Sequence, residues 1–402
     1  MHRVVVTGIG VVSPVGLKLE DFWKALVEGR SGIGPLTLVS TGRLNGCIVA
    51  EVKSFDPAAH FTDKQAHLMD RFAQFAVVAA RSAVSDAELQ ISDRLALEIA
   101  TVVGSGTGGH STLDDSYLKV YGQGAARVHP LTIPRLMINA GASHVSMDLG
   151  LKGPTWAVAT ACASGTHAIG QAFHMVRSGQ APVALAGGAE ACLTFGSIKG
   201  WEALRVLSRD TCRPFSKTRS GMVLGEGAAM LVLETREHAL ARGARIYAEV
   251  RGFGMSADAA EVTAADPAGE ARAIEAALKD AKLGAENVDY VNAHGTGTEM
   301  NDRIEALAIY NVFGNRATEL PVSSSKGVLG HSLGGSGALE FAATVLALHT
   351  QTIPPTANFE APDPACMLDC VPNVARQTPI GIAMSSSFAF GGLNAVLVAG
   401  RA

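Results

Sequence analysis

Residues 156–170 read WAVATACASGTHAIG, and the fold turns on this stretch. Trp156 to Thr160 is a short apolar run of strand type. The Ala-Cys-Ala-Ser-Gly that follows is made of small residues, and helical spacing begins beyond it. A strand that passes through a tight turn into a helix puts the turn's side chain at the helix N-terminus. Here that side chain is Cys162. Free N–H groups and the helix dipole lower a thiol pKa from about 8.5 at such a position, so the sequence predicts an activated nucleophile. A core cysteine at a tight turn would have the same small neighbours.

Outward from this elbow, strand runs alternate with Ala-rich helical runs. Arg3–Thr7, Ile99–Val103, Val183–Ala186, Ala228–Leu233, Ala248–Phe253 and Tyr290–Ala293 are predicted strands. Asp21–Glu28, Met69–Ser82 and Glu270–Ala281 are predicted helices. This alternation predicts an α/β fold with its sheets covered by helices. A faint internal repeat is also present. TVVGSGTGG (101–109) echoes YVNAHGTGT (290–298), TACASGTHAIG (160–170) echoes KGVLGHSLGGSGALE (326–340), and VALAGGAEACLTFG (183–196) echoes GIAMSSSFAFGG (381–392). Three echoes in one order suggest two similar halves, with chance likeness among Gly/Ala-rich strands as the alternative.

Composition narrows the function. The chain has 402 residues, 48% of them hydrophobic and 17% charged, and a net charge of −4. It is too apolar to be disordered and has no basic excess to draw nucleic acid or anionic lipid. No apolar run of about 18 residues suggests a membrane span, and the N-terminus lacks the pattern of a signal peptide, so a cytoplasmic location is expected. Six cysteines form no C-x-x-C pair, which weakens zinc and thioredoxin readings; no metal is expected. The 44 glycines exceed the usual ~7%. Glycine is kept where φ is positive or where backbone comes close to something.

The loop GSGTGG (104–109) satisfies G-x-G-x-x-G, but no second strand ending in an acid follows it, so it reads as a decoy for dinucleotide binding. Two histidines are better company for Cys162. His294 follows an apolar strand in NAHGTGTEMND, and His331 sits in the glycine-rich SSSKGVLGHSLGGSG. A lone histidine is usually a core residue. Two, each beside a strand end and flanked by small residues, fit a nucleophilic site in which imidazoles donate to an oxyanion. Lys326, five residues before His331, could tune the site or be an ordinary surface lysine. Phe388 and Phe390, in SSSFAFGGLNA, read as a buried strand with a bulge or as an aromatic gate on a glycine hinge.

Together TACASG, NAHGTGTEMND, KGVLGH and SFAFGG, with MDRF (69–72), GGAE (187–190) and RPFSKTRSGMVLGEGA (213–228), resemble the β-ketoacyl-acyl carrier protein synthases, the type II condensing enzymes, in order and spacing over essentially the whole chain. The resemblance implies a thiolase-like fold, two duplicated halves in a five-layered αβαβα sandwich, here divided at 1–245 and 246–402, and a homodimer. It implies that Cys162 takes an acyl chain from a carrier-protein phosphopantetheine arm, which arrives with the substrate, so no resident cofactor is expected. His294 and His331 support decarboxylation of malonyl-carrier protein, and the carbanion attacks the Cys162 thioester. The product is a 3-oxoacyl chain two carbons longer. By the same resemblance, the backbone N–H groups of Cys162 and Phe390 form the oxyanion hole, and Thr296 and Thr298 hold the phosphopantetheine. Lys326 with Glu305 supports the His331 side, and Asp302 is an acid of the same loop. Phe388 lines the site, Phe390 is the gate, and Thr107 lies at the acyl pocket. Lys64, Arg209 and Arg213 face an acidic carrier protein.

Several positions depart from the family pattern. Ala389 stands where glycine is usual in the gate, Ser386 for Asn, Ser220 and Met222 for Asp and Phe, and Thr107 for Ile; His67 and Leu68 replace basic residues. The departures suggest a specialised member, of the nodulation or polyene type. Competing readings are a non-catalytic chain-length-factor-like partner, which would lack Cys162, a thiolase, which would have a second catalytic cysteine near the C-terminus in a C-x-G context that Cys366 and Cys370 lack, and a priming synthase, which would pair one histidine with an asparagine in place of His331.

Overall fold

The computed structural model describes residues 1–45 and 47–402. Ten strands form one mixed sheet. The first five are β1 (Val4–Val12), β2 (Ala100–Gly104), β3 (Thr155–Val158), β4 (Val183–Glu190) and β5 (Gly227–Thr235). The second five are β6 (Ala248–Ala257), β7 (Tyr290–Asn292), β8 (Val322–Ser323), β9 (Ile382–Ala389) and β10 (Leu393–Gly400). Across the sheet the order is β8-β7-β9-β10-β6-β1-β5-β4-β2-β3. Numbered within its own half, each set therefore runs first, fifth, fourth, second, third. The pairings match as well: β1–β5 and β5–β4 are antiparallel, as are β6–β10 and β10–β9, while β4–β2, β2–β3, β9–β7 and β7–β8 are parallel. The halves join where Val4–Val6 pair antiparallel with Ala248–Val250. The faint repeat in the sequence is thus a duplicated topology, with β2 equivalent to β7 and β4 to β9.

Five layers follow from which helices are buried on every side. The main helices are α1 (Arg71–Asp86), α2 (Ala140–Leu149), α3 (Ser164–Ser178), α4 (Phe195–Leu204), α5 (Pro267–Ala281), α6 (Glu299–Phe313) and α7 (Ser336–Thr350). Every residue of α7 from Ser336 to Leu348 is buried, as expected of a helix apolar all round. It packs on β9 of its own half and on β4 and β5 of the other. α3 does the reverse, on β2 and β4 and also on β6 and β10. These two form the middle layer. α1 covers β1 and β5 from outside, α5 covers β6 and β10, and α6 packs on α5. Parallel strands buried on both faces explain the apolar runs seen in sequence.

Glycine permits the closest approach. A Cβ on Gly104, the last residue of β2, would lie 2.3 Å from the Ser164 carbonyl at the start of α3. The 104–109 loop opens a helix, His110–Tyr117, but the next strand begins only at Thr155, too far on to carry the acid that a dinucleotide site needs ~20 residues after the loop. None of the helices is long and apolar enough to cross a membrane, among the described residues.

Candidate active site

Both elbows of the duplicated halves reach the same cavity. After β3 the chain makes one 3-10 turn, Ala161–Ala163, before α3 opens at Ser164. Ala161 has φ +48°, and Leu333, which opens the equivalent turn before α7, has φ +43°. Left-handed backbone at non-glycine residues stores strain of order 1–3 kcal/mol and marks functional turns. Cys162 therefore lies in the turn itself, one step ahead of the helix. It lines a cavity of about 260 Å³ with His294, His331, Thr296, Thr298, Phe388 and Phe390.

The thiol's electrostatics differ from the expectation of a lowered pKa. Cys162 is 7% exposed. Burial pushes its thiol up to about 12, although the Lys326 charge and the Phe390 peptide N–H, which donates to the sulfur, pull the other way. Desolvation of the thiolate outweighs the dipole and the nearby cation. The resting nucleophile is a neutral thiol.

His294 follows β7, and His331 lies between the short helix Lys326–Leu329 and the Leu333–Gly335 turn that precedes α7. Their rings are 5.2 Å apart and nearly perpendicular. Burial first, and then the Lys326 charge, hold both well below the usual imidazole value, so both are neutral. Lys326 Nζ lies 3.3 Å from His294 Nδ1 and also donates to the His294 carbonyl. An ammonium can only donate, so Nδ1 accepts and the proton sits on Nε2. His331 Nδ1 is 2.9 Å from Ser336 Oγ, and its backbone N–H donates to Val223 O at 2.7 Å.

Lys326 and Glu305 sit differently from the expected support of His331. Lys326 is 1% exposed, pairs with Glu340, and bonds His294 rather than His331. Its charge still reaches His331 through space. Glu305 accepts the His294 N–H at 2.7 Å and the Gly295 N–H at 2.6 Å. Burial raises its carboxyl to about 8. Asp302 accepts from Phe215 N–H at 2.7 Å and Gly297 N–H at 3.1 Å, which ties the 295–298 loop to the distant 213–216 turn. Thr296 and Thr298 hydroxyls are 2.9 Å apart at the cavity wall. The Phe388 ring is 6.3 Å from that of His294.

Other expectations change. Thr107 does not line the cavity; its hydroxyl donates to Glu190 at 2.7 Å. Glu190 also accepts the Gly106 and Gly334 N–H groups, at 2.7 and 3.0 Å, and so joins the two halves. Ala389 ends β9 in extended backbone, and the left-handed positions are Gly391 (φ +85°) and Gly392 (φ +66°), so alanine is accommodated at 389. Lys64 and Arg209 are exposed without an ion-pair partner among the described residues. Arg213 is not free: Asp210 at 2.7 Å and Glu360 at 2.8 Å hold it. Glu340, Ser336 and Glu190 had no assigned part in the sequence reading. An acid inside the apolar run GALEFAATVLAL was the signal for Glu340. No group of His, Cys, Asp and Glu is spaced to hold a metal ion, among the described residues.

Sequence comparison agrees with this architecture. The beta-ketoacyl synthase N-terminal domain matches residues 1–239 and the C-terminal domain residues 247–360. The chain belongs to the beta-ketoacyl synthase family. It is 47% identical over 396 residues to Nodulation protein E of Rhizobium sp. (strain N33), covering 98% of each chain. It is 44% identical over 403 residues to 3-oxoacyl-[acyl-carrier-protein] synthase 2 of Staphylococcus aureus, covering 98% of this chain and 97% of the relative. Among solved structures, the ishigamide ketosynthase/chain length factor superposes with a TM-score of 0.95 at 38% identity, covering 100% of this chain and 99% of that one. A type II polyketide ketosynthase in complex with its acyl-carrier protein superposes at 0.89 with 33% identity, covering 100% and 99%.

Proposed function

We propose that the chain carries out the condensation of a 3-oxoacyl-acyl carrier protein synthase through Cys162, His294 and His331. The Cys162 sulfur attacks the acyl thioester carried on phosphopantetheine; a new C–S bond forms, the old one breaks, and the thiol proton leaves with the arm. Malonyl-carrier protein then enters, and Thr296 and Thr298 hydroxyls bind its arm. The His294 Nε2–H donates to the malonyl thioester oxygen. The C–CO2 bond breaks, its electron pair stays on the α-carbon as an enolate, and CO2 leaves. That carbon attacks the Cys162 thioester, and the N–H groups of Cys162 and Phe390 hold the oxyanion. The Cys162 C–S bond breaks, its electron pair leaves on the sulfur, which takes up a proton from solvent to restore the thiol, and the chain departs two carbons longer. Lys326, held by Glu340, keeps His294 in the donating tautomer.

One observation carries this reading. Two neutral imidazoles 5.2 Å apart line one cavity with a cysteine whose sulfur already takes the Phe390 N–H. Mass spectrometry after incubation with acyl-carrier substrates of several lengths tests it. An adduct is expected on Cys162 and absent from Cys162→Ala, while Cys162→Gln keeps malonyl decarboxylation. An adduct elsewhere, or none, overturns the mechanism and favours the chain-length-factor-like reading.

The partner is an acidic acyl carrier protein, docking at Lys64 and Arg209. The solved ketosynthase–carrier complex supports a carrier-protein partner, and the exposure of Lys64 and Arg209 supports this docking face. The protein is a cytoplasmic homodimer. In support, β3 is a sheet edge, and Tyr117, Tyr121, Ile133 and Met137 are exposed apolar side chains; all six cysteines are unpaired. Light scattering on the purified chain measures the oligomeric state. The acyl preference is specialised, as Met222, which lines the cavity where the family usually has Phe, suggests. Full-rate elongation of ordinary saturated C14–C16 chains would sink that idea.

A further inference from the structure

At the cavity mouth the Phe390 ring meets a second aromatic side chain that has no part in the scheme above. Trp201, in α4, stacks on Phe390 with ring centroids 5.8 Å apart and planes 25° from parallel. Both line the cavity, and Phe390 is 38% exposed. Trp201 packs against the apolar cluster that contains Cys162, Met222 and Leu333, so one face of its indole is anchored beside the nucleophile. The Phe390 backbone is held more lightly. The turn beyond it is closed by the Gly392 N–H on Ala389 O at 2.9 Å. It is joined to the 258–266 segment by the Gly391 N–H on Val262 O at 2.7 Å and by the Asp258 N–H on Gly392 O at 3.0 Å. Val262 is itself 71% exposed. Ring and peptide belong to one residue, so whatever holds the Phe390 ring also holds its N–H on the Cys162 sulfur.

We propose that Trp201 is a positioning residue: its indole fixes the Phe390 ring, and with it the Phe390 N–H, over Cys162, and the loop opens and closes against this stack. The inference rests on Cys162 being the reacting thiol. Stacked aromatic pairs contribute enough beyond area burial to shift a two-state loop population roughly 2- to 12-fold. The direction follows from the site. Opening the loop brings water to a thiol whose proton affinity is raised chiefly by burial. It also removes one N–H donor, which is the smaller effect. The open state therefore reacts faster with a small electrophile.

Iodoacetamide labelling of the full chain, with the site read by peptide mass spectrometry, tests this without any carrier-protein substrate. Trp201→Ala and Trp201→Leu should speed Cys162 alkylation roughly 2- to 12-fold, while Trp201→Phe, which keeps a stacking ring, restores the wild-type rate. Phe390→Ala should also speed it, and Trp201→Ala should add nothing in that background. The leucine variant keeps the apolar bulk and serves where the alanine variant fails to fold. A wild-type rate in Trp201→Leu alongside a fast Phe390→Ala overturns the proposal, as does simple multiplication of the two effects. If the alkylation pattern holds but acyl-carrier substrates leave Cys162 unmodified, the positioning role stands and the nucleophile reading falls. If acylation proceeds and alkylation ignores Trp201, the reverse holds.

Discussion

Glu340→Gln isolates what the buried ion pair does. The Lys326 side chain is 1% exposed and that of Glu340 2%. Removing one partner of such a pair leaves a buried charge uncompensated and costs about 3–5 kcal/mol. Unfolding entropy of about 2.1 cal/mol/K per residue, over 402 residues, converts that to a fall of roughly 4–6 °C in Tm. Replacing both groups together by apolar residues, Lys326→Met with Glu340→Leu, removes the charge problem and should restore most of the stability. It should not restore chemistry, because Lys326 Nζ is what holds His294 Nδ1 and the His294 carbonyl. A hydrogen bond from a charged group is worth about 1.5–3 kcal/mol, so malonyl decarboxylation should fall roughly 10- to 150-fold in the double variant. Differential scanning calorimetry and a CO2-release assay measure the two effects separately. A Tm for Glu340→Gln within a degree of wild type, or full decarboxylation by the double variant, would refute the reasoning.

Three further outcomes are expected. Both imidazoles are held below their usual value, so the unfolded chain takes up protons first as pH falls. Stability contributed by the neutral histidines is complete above about pH 6.5 and declines below it. Urea unfolding from about pH 7.5 to 5 should show this decline, weakened in His294→Asn, and an unchanged slope in that variant counts against it. Gly392→Ala forces a side chain into left-handed backbone, at about 1–2 kcal/mol, with its Cβ 2.6 Å from that of Asp258; condensation should slow, and wild-type kinetics at unchanged Tm would contradict the fit. Lys64→Glu and Arg209→Glu should raise KM for carrier-bound substrate with kcat little changed, more so at low salt. Arg213→Gln should instead lower Tm by freeing Asp210 and Glu360, and the opposite assignment of effects would remove the proposed docking face.

How far the sequence was legible depends on distance along the chain. The strand–turn–helix elbow at 156–170 is local, and it formed as read apart from the 3-10 turn. Cys162 and both histidines stood out because small residues and glycines flank them. What the residues around Cys162 could not convey was its solvation: helix position predicts a lowered thiol pKa, and burial by α7, β9 and the Phe390 loop reverses it. Lys326 was assigned to the nearer histidine, since His331 lies five residues away; folding delivers it to His294, 32 residues back. Thr107 was read as a pocket wall, yet its hydroxyl is taken by Glu190, 83 residues on.

By itself the sequence determined the α/β alternation and the small-residue turns that carry the reactive side chains, and it suggested the two-half repeat that the topology then showed. These depend on φ/ψ preference and hydrophobic period, which act over a few residues. Tertiary structure decided which charges are paired, which titratable groups are neutral, and where each long side chain ends. Those properties depend on desolvation and on contacts between the halves. The pairing of Val4–Val6 with Ala248–Val250 and the packing of α3 and α7 between the two halves of the sheet bring those contacts about.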